Sequence, residues 1–225
     1  MPATTTRRAL DATLLTPIGA GVFTVAWLVL GAISPGYELF GHVIAPYSWI
    51  AQPVSGLGLG VTAGWMNAAF IVGGVLVAAG TVAAIPRWRA LGGRGTTAVV
   101  LMSAMGLGMI VCGVFTLESM MIHLSGFLLA VPVPALGFVF AAAATRSTRP
   151  RLAVVGAGGG ILTLVLFAIF MITFDATGAG GNAGIAGLTQ RCLITVALVT
   201  QSLLVTSVPA VPARPPRPSF SRETG

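Results

Sequence analysis

Six stretches of mostly apolar residues run along the chain: Leu14 to Ile33, Trp65 to Ile85, Thr96 to Thr116, Leu124 to Ala144, Leu152 to Phe174 and Leu188 to Val208. At 1.5 Å rise per residue, about 20 apolar residues cross a hydrocarbon core of roughly 30 Å. The pattern therefore predicts an all-α, polytopic integral membrane protein with six transmembrane helices. Proline marks several boundaries: Pro86 closes the second stretch, Pro150 precedes the fifth, and Pro209 closes the sixth. Pro132 and Pro134 interrupt the fourth, where they remove backbone donors and predict a kink. That kink either opens a cavity or is packed around.

The segments between the spans divide the chain. Residues 1–13 precede the first helix, 14–208 form the six-helix domain, and 209–225 follow it. The tail sets Pro209, Pro212, Pro215, Pro216 and Pro218 among arginines, a composition that cannot build a core and is expected to be disordered. Only one connection is long, the outer loop 34–64, and loops of that length are usually functional or disordered. It carries Val43, Ile44, Trp49 and Ile50, then Pro53-Val54-Ser55-Gly56-Leu57-Gly58-Leu59-Gly60. So apolar a loop should lie on the mouth of the bundle or fold back into it. Tyr37, Tyr47, Trp49, Trp65 and Trp88 fall near predicted interfaces, where amphipathic rings are favoured, while Trp27 falls inside a span. Gly156 and Gly160 have the four-residue spacing that allows close helix contact.

Composition agrees: 56% of residues are hydrophobic and only 8% charged, against roughly a quarter charged in a soluble protein. The twelve basic residues are all arginines. Arg7, Arg8, Arg87, Arg89, Arg94, Arg146, Arg149, Arg151, Arg214, Arg217 and Arg222 fall on one side of the six-crossing arrangement, and only Arg191 falls on the other. Short Arg-rich loops mark the cytoplasmic face, so both termini are expected to be cytoplasmic. The net charge of +7 does not indicate nucleic acid, because the arginines are split among four segments instead of gathered on one element. They orient the protein and can touch anionic lipid head groups. Thr6-Arg7-Arg8-Ala9-Leu10 resembles a twin-arginine signal, but the apolar stretch behind it is too long for a signal core, and it reads as an uncleaved helix.

The outer face receives Glu38, His42, Glu118, His123, Asp175 and Arg191, the main candidates for chemistry. Glu38 and His42 are four apart and would share a face if that stretch is helical. An arginine within a helix end is costly unless paired, and Asp175 or Glu118 is its expected partner. Such a pair either locks two helices together or binds an anionic head group. Imidazoles beside carboxylates could also hold zinc or act as acid and base, although no spacing matches a compact metal motif; each residue alone reads as a solvated interfacial group. Gly156-Ala157-Gly158-Gly159-Gly160 lies within a span and follows no strand, so it reads as helix packing, not a nucleotide loop. Cys112 and Cys192 lack metal-ligand spacing; they read as small hydrophobes, with a single bridge geometrically conceivable. No charged residue lies at mid-depth in any span, which argues against a proton-coupled pump and a voltage sensor.

Several segments together resemble a known family. They are Pro53-Val54-Ser55-Gly56-Leu57-Gly58 after the long loop, Gly64-Trp65-Met66-Asn67 opening the second span, Gly113-Val114-Phe115 before an acidic residue, His123 at the next helix start, and Gly187-Leu188-Thr189-Gln190-Arg191 opening the last span. This pattern is similar to the bacterial membrane-protein family catalogued as domain of unknown function 998, and covers most of residues 15 to 208. Where that family carries Asp after the Gly-x-Phe and Glu before the last arginine, this chain has Thr116 or Glu118, and Gln190. The resemblance implies six helices and a bacterial plasma membrane, and brings no activity, cofactor or substrate.

Three functions are consistent with these residues. The first is a non-catalytic protein whose outward-facing polar pocket binds or moves a lipid or small solute, with Arg191, Glu118, His123, Ser55, Asp175 and His42 as its site residues. The second is an enzyme acting on lipid at the outer leaflet, with His42 or His123 as base or metal ligand. The third is a packing subunit that joins a partner membrane protein. No cofactor or metal is expected for the first.

Overall fold

The computed structural model describes residues 11–209. Residues 1–10 and 210–225, including nearly all of the proline-rich tail, lie outside the described residues. Six helical segments among those described are long and apolar enough to cross a membrane, which makes this a multi-pass membrane protein. The first two are α1 (Leu15–Ile33) and α2 (Ala63–Ala83), and a short helix, α3 (Ile85–Arg89), turns the chain into α4 (Gly93–Val114). The fourth crossing is made of two pieces, α5 (Met120–Ala130) and α6 (Pro132–Thr145). The last two crossings are α7 (Pro150–Thr173) and α8 (Ala186–Ser207).

The helices form a closed ring. Helix α1 packs on α2, α2 on α4, α4 on α5 and α6, α6 on α7, α7 on α8, and α8 back on α1. Glycines set the closest approaches. A Cβ on Gly74 would sit 2.7 Å from the carbonyl oxygen of Gly106, so α2 and α4 meet backbone to backbone. A Cβ on Gly156 would sit 2.7 Å from the carbonyl oxygen of Phe138, and one on Gly160 2.9 Å from that of Ala135. Those contacts between α6 and α7 account for the four-residue spacing.

Polarity and burial are inverted between the last two helices. Helix α7 is the most apolar of the six crossings and the most exposed, while α8 is among the least apolar and is the most buried. A lipid-facing surface must be apolar, whereas polar side chains need partners inside the bundle. Gln201 illustrates this on α8: its Nε2 donates to Thr81 Oγ1 at 2.9 Å and to the Met102 carbonyl at 3.0 Å, tying α8 to α2 and α4.

The start of α1, the α2–α4 connection and the end of α8 share one end of the bundle. There Arg87 donates to Asp11 Oδ1 at 2.7 Å and to the Val208 carbonyl at 3.3 Å. The opposite end is closed by residues 34–64, hereafter the plug. It opens with a hairpin, β1 (Tyr37–Leu39) pairing antiparallel with β2 (His42–Ile44). The two-residue turn needs positive φ at both positions, supplied by Phe40 at 50° and Gly41 at 83°. Glu38 and His42 are therefore strand residues, not neighbours on a helical face. Beyond the hairpin, Val54–Gly58 forms a 3-10 turn whose five residues are all buried, so the plug folds back into the mouth.

Trp88, in the connection at one end of the bundle, is fully buried there. Cys112 is buried, Cys192 is exposed, and both are free thiols, so no bridge joins them.

Candidate functional site

The plug is held on the N-terminal end of α8. A helix leaves its first backbone N–H groups without intrahelical partners, and here the plug supplies acceptors. Leu188 N–H donates to the Ile50 carbonyl at 2.9 Å, and Gly187 N–H to the Ala51 carbonyl at 3.2 Å. Arg191, one turn further, completes the attachment. Its Nη1 donates to the carbonyls of Trp49 at 2.7 Å, Gln52 at 2.9 Å and Gly187 at 2.9 Å, and its Nη2 donates to the Tyr47 hydroxyl at 2.6 Å. The guanidinium also lies over the rings of Trp27, Tyr47 and Trp49, with its central carbon 5.0–5.6 Å from their centroids. Neither Asp175 nor Glu118 touches it; the only ion pair among the described residues is Arg87–Asp11. The buried cation is balanced by carbonyl dipoles and ring faces, not by a carboxylate.

Gln190, the neighbour of Arg191, reaches back into the plug, where its Oε1 accepts from Val54 N–H at 2.6 Å. That bond assigns the amide, because a backbone N–H needs the oxygen. The Gln190 Nε2 then donates to no other described residue. Next to Val54 stands Ser55, whose Oγ lies 3.0 Å from Nε2 of His123, and His123 Nδ1 lies 2.7 Å from the Phe115 carbonyl. A carbonyl only accepts, so Nδ1 carries the proton. The lone pair is on Nε2, and the Ser55 hydroxyl donates to it.

Helix contact places this histidine. His123 lies in the first turn of α5, and a Cβ on Gly126 would sit 3.0 Å from Cys112 Sγ, so α5 lies tight against α4. Ser55 is positioned by the plug: Tyr37 crosses Gly56 so closely that a Cβ there would sit 2.5 Å from its ring. The Tyr37 hydroxyl donates to Gln52 Oε1, and Gln52 Nε2 donates to the Gly181 carbonyl. Burial holds both the Tyr37 and Tyr47 phenols above the usual tyrosine range.

Ser55 and Gln190 stand where two voids meet. One, of about 40 Å³, runs toward mid-bundle between Phe23, Phe70, Met105, Met109, Phe127 and Leu198. The other, of about 20 Å³, includes His123 and runs between α5 and α7, past Met120, Leu124, Phe170 and Phe174 to Met171. Met171 is 38% exposed, so this second void approaches the lipid-facing surface. Phenylalanine rings fill the crevice, Phe127 against Phe167 and Phe170, and Phe170 stacked on Phe174.

The structure thus brings Ser55 and His123 together, with Arg191 anchoring the wall beside them. It does not bring in Glu118, Asp175 or His42, all of which are exposed. Asp175 caps its own loop, accepting from the Thr177 hydroxyl at 2.6 Å, Gly180 N–H at 2.7 Å and Thr177 N–H at 2.9 Å. These bonds, the Thr177 hydroxyl first, hold its carboxyl below the usual range. Among the described residues no three His, Cys, Asp or Glu side chains gather as a metal site would need.

Residues 17–207 match the family described as "Protein of unknown function (DUF998)". The chain belongs to that family. No curated protein and no solved structure matches the chain. The family segments named from sequence converge here: Pro53–Gly58 supplies Ser55, the start of α5 supplies His123, and the start of α8 supplies Gln190 and Arg191. Gln190 stood out in the sequence only as a departure from the family pattern, and Gln52 and Tyr47 gave no signal as site residues.

Proposed function

We propose that this member of the family binds a membrane lipid at Ser55, His123 and Gln190, with access from the bilayer between α5 and α7. The observation that carries this reading is the meeting of those three buried polar side chains with two apolar voids, one of which approaches the lipid-facing surface. The voids are small: a cavity needs roughly 10–15 Å³ to hold one water. They fit the polar–apolar junction of a lipid, while the chains lie in the α5–α7 crevice and the bilayer outside. Arg191 has spent four hydrogen bonds on the plug, so recognition falls to a neutral amide, a hydroxyl and an imidazole. Those groups suit an ester carbonyl or a hydroxyl better than a phosphate. We take both termini as cytoplasmic, which the arginine distribution favours, and the site would then face the outer leaflet of what we propose is a bacterial plasma membrane.

Native mass spectrometry of the protein purified in mild detergent tests the binding. The expected result is a retained lipid, with occupancy falling about tenfold in Gln190→Met, as loss of one hydrogen bond implies. A chain that carries no lipid, or a folded Gln190→Met with undiminished occupancy, would overturn the reading.

A further inference from the structure

Many of the helical hydroxyls in this bundle follow one habit. Thr81, Ser103, Ser125, Thr145, Thr189 and Thr206 each donate to the carbonyl one turn back in their own helix, which satisfies them locally. Ser55 breaks it. It donates across 68 positions to an imidazole whose other nitrogen is fixed on the Phe115 carbonyl. A hydroxyl within 3.0 Å of a neutral imidazole, with that ring oriented by a third group, has the parts of an activated nucleophile. The third group is a carbonyl oxygen in place of a carboxylate, and it sets the same tautomer. Gln190 adds a free N–H donor on the wall of both voids.

We propose that Ser55 and His123 are a nucleophile and general base that cleave the acyl ester of a lipid, with water as co-reactant. The identity of the substrate rests on the lipid-binding reading; the chemistry of the pair does not. Ser55 Oγ forms a bond to the ester carbonyl carbon as its proton passes to His123 Nε2. The carbonyl π pair moves onto oxygen, where Gln190 Nε2–H donates to it. Collapse breaks the bond to the alcohol oxygen, which leaves with the proton from Nε2, and the acyl group remains on Oγ. Water then gives a proton to Nε2 while its oxygen bonds to the acyl carbon. The Oγ–carbon bond breaks, and Oγ recovers the proton. One ester and one water become one acid and one alcohol.

The test uses the full-length protein in detergent with two probes, a long-chain alkyl fluorophosphonate and p-nitrophenyl decanoate. The expected result is one fluorophosphonate on Ser55, none in Ser55→Ala, labelling slowed at least about 100-fold in His123→Gln, and ester turnover falling in parallel. Ser55→Ala removes one oxygen and keeps the decision clear if His123→Gln does not fold. Lipid retained in native mass spectra without labelling of Ser55 overturns the nucleophile and leaves the binding reading intact. Labelling of Ser55 at an undiminished rate in His123→Gln overturns the base. Labelling that depends on His123 in a protein holding no lipid supports the pair and sinks the binding reading instead.

Discussion

Replacing Arg191 with methionine tests the central claim about how the site is built. The change leaves the carbonyls of Trp49, Gln52 and Gly187 and the Tyr47 hydroxyl without the guanidinium donors. Hydrogen bonds to a charged group contribute about 1.5–3 kcal/mol each, so four amount to roughly 6–12 kcal/mol before any offset. The offset is large, because burying a cation costs several kcal/mol. The expected net loss is about 3–5 kcal/mol, because four buried acceptors lose their donors at about 1–3 kcal/mol each while the cost of burying the cation is relieved. At ~2–4 °C per kcal/mol for a chain of this size, melting should fall by about 6–20 °C. Tryptophan fluorescence in detergent is the assay, since Trp27 and Trp49 flank the guanidinium. Arg191→Lys should fall between the two, keeping the charge but not the planar fork. Glu118→Gln should leave melting within about 2 °C of the parent and Asp175→Asn should cost no more than about 4 °C, because neither carboxylate touches Arg191. An unchanged melting point in Arg191→Met, or an equal loss in Asp175→Asn, would refute the reasoning.

Two more outcomes follow from the contacts described. Asp11 is held below its ordinary 3.8, first by the hydrogen bond from Arg87, and Asp175 by that from Thr177. A depressed folded pKa stabilises above the unfolded value and is lost as pH falls through the folded one, so the contribution of these two carboxylates should be level from pH 7 to about 5 and be lost below about 4. The double variant Asp11→Asn, Asp175→Asn should flatten that loss, and an identical acid profile would count against it; each exposed contribution is at most about 1 kcal/mol. In Gly106→Val, a Cβ would lie 2.6 Å from the Ala78 nitrogen on α2. Melting should drop by several degrees, whereas Gly158→Val, with open space at its Cβ, should be neutral; similar melting of the two variants would contradict the backbone contact.

The spans were legible because a lipid-facing helix needs apolar residues on nearly every position, and length alone then delimits it. The break in the fourth span was legible for a local reason, the prolines at 132 and 134. What escaped was contact between distant segments. Arg191 was expected to find a carboxylate, since sequence shows charges but not where carbonyls point. Three of its four partners stand 139 to 144 positions earlier, in the plug. Ser55 and His123 were both named, yet nothing in a 68-residue separation says that they meet. The hairpin was not foreseen: the Glu38–His42 spacing was weighed only for a helix, although Gly41 followed by Val43 and Ile44 is a strand-and-turn signal.

The helix break at Val131, where φ is −122° and ψ −73°, has a mechanical consequence. Pro132 and Pro134 cannot donate to the carbonyls of Leu128 and Ala130, so α5 is not coupled to α6 through those backbone bonds. His123 stands eight residues from that break, a lever arm of about 12 Å at 1.5 Å per residue. A tilt of about 10° about Val131 moves the imidazole by about 2 Å at that arm length. That is enough to break its 3.0 Å bond to Ser55, so one small rotation of α5 would disarm the serine.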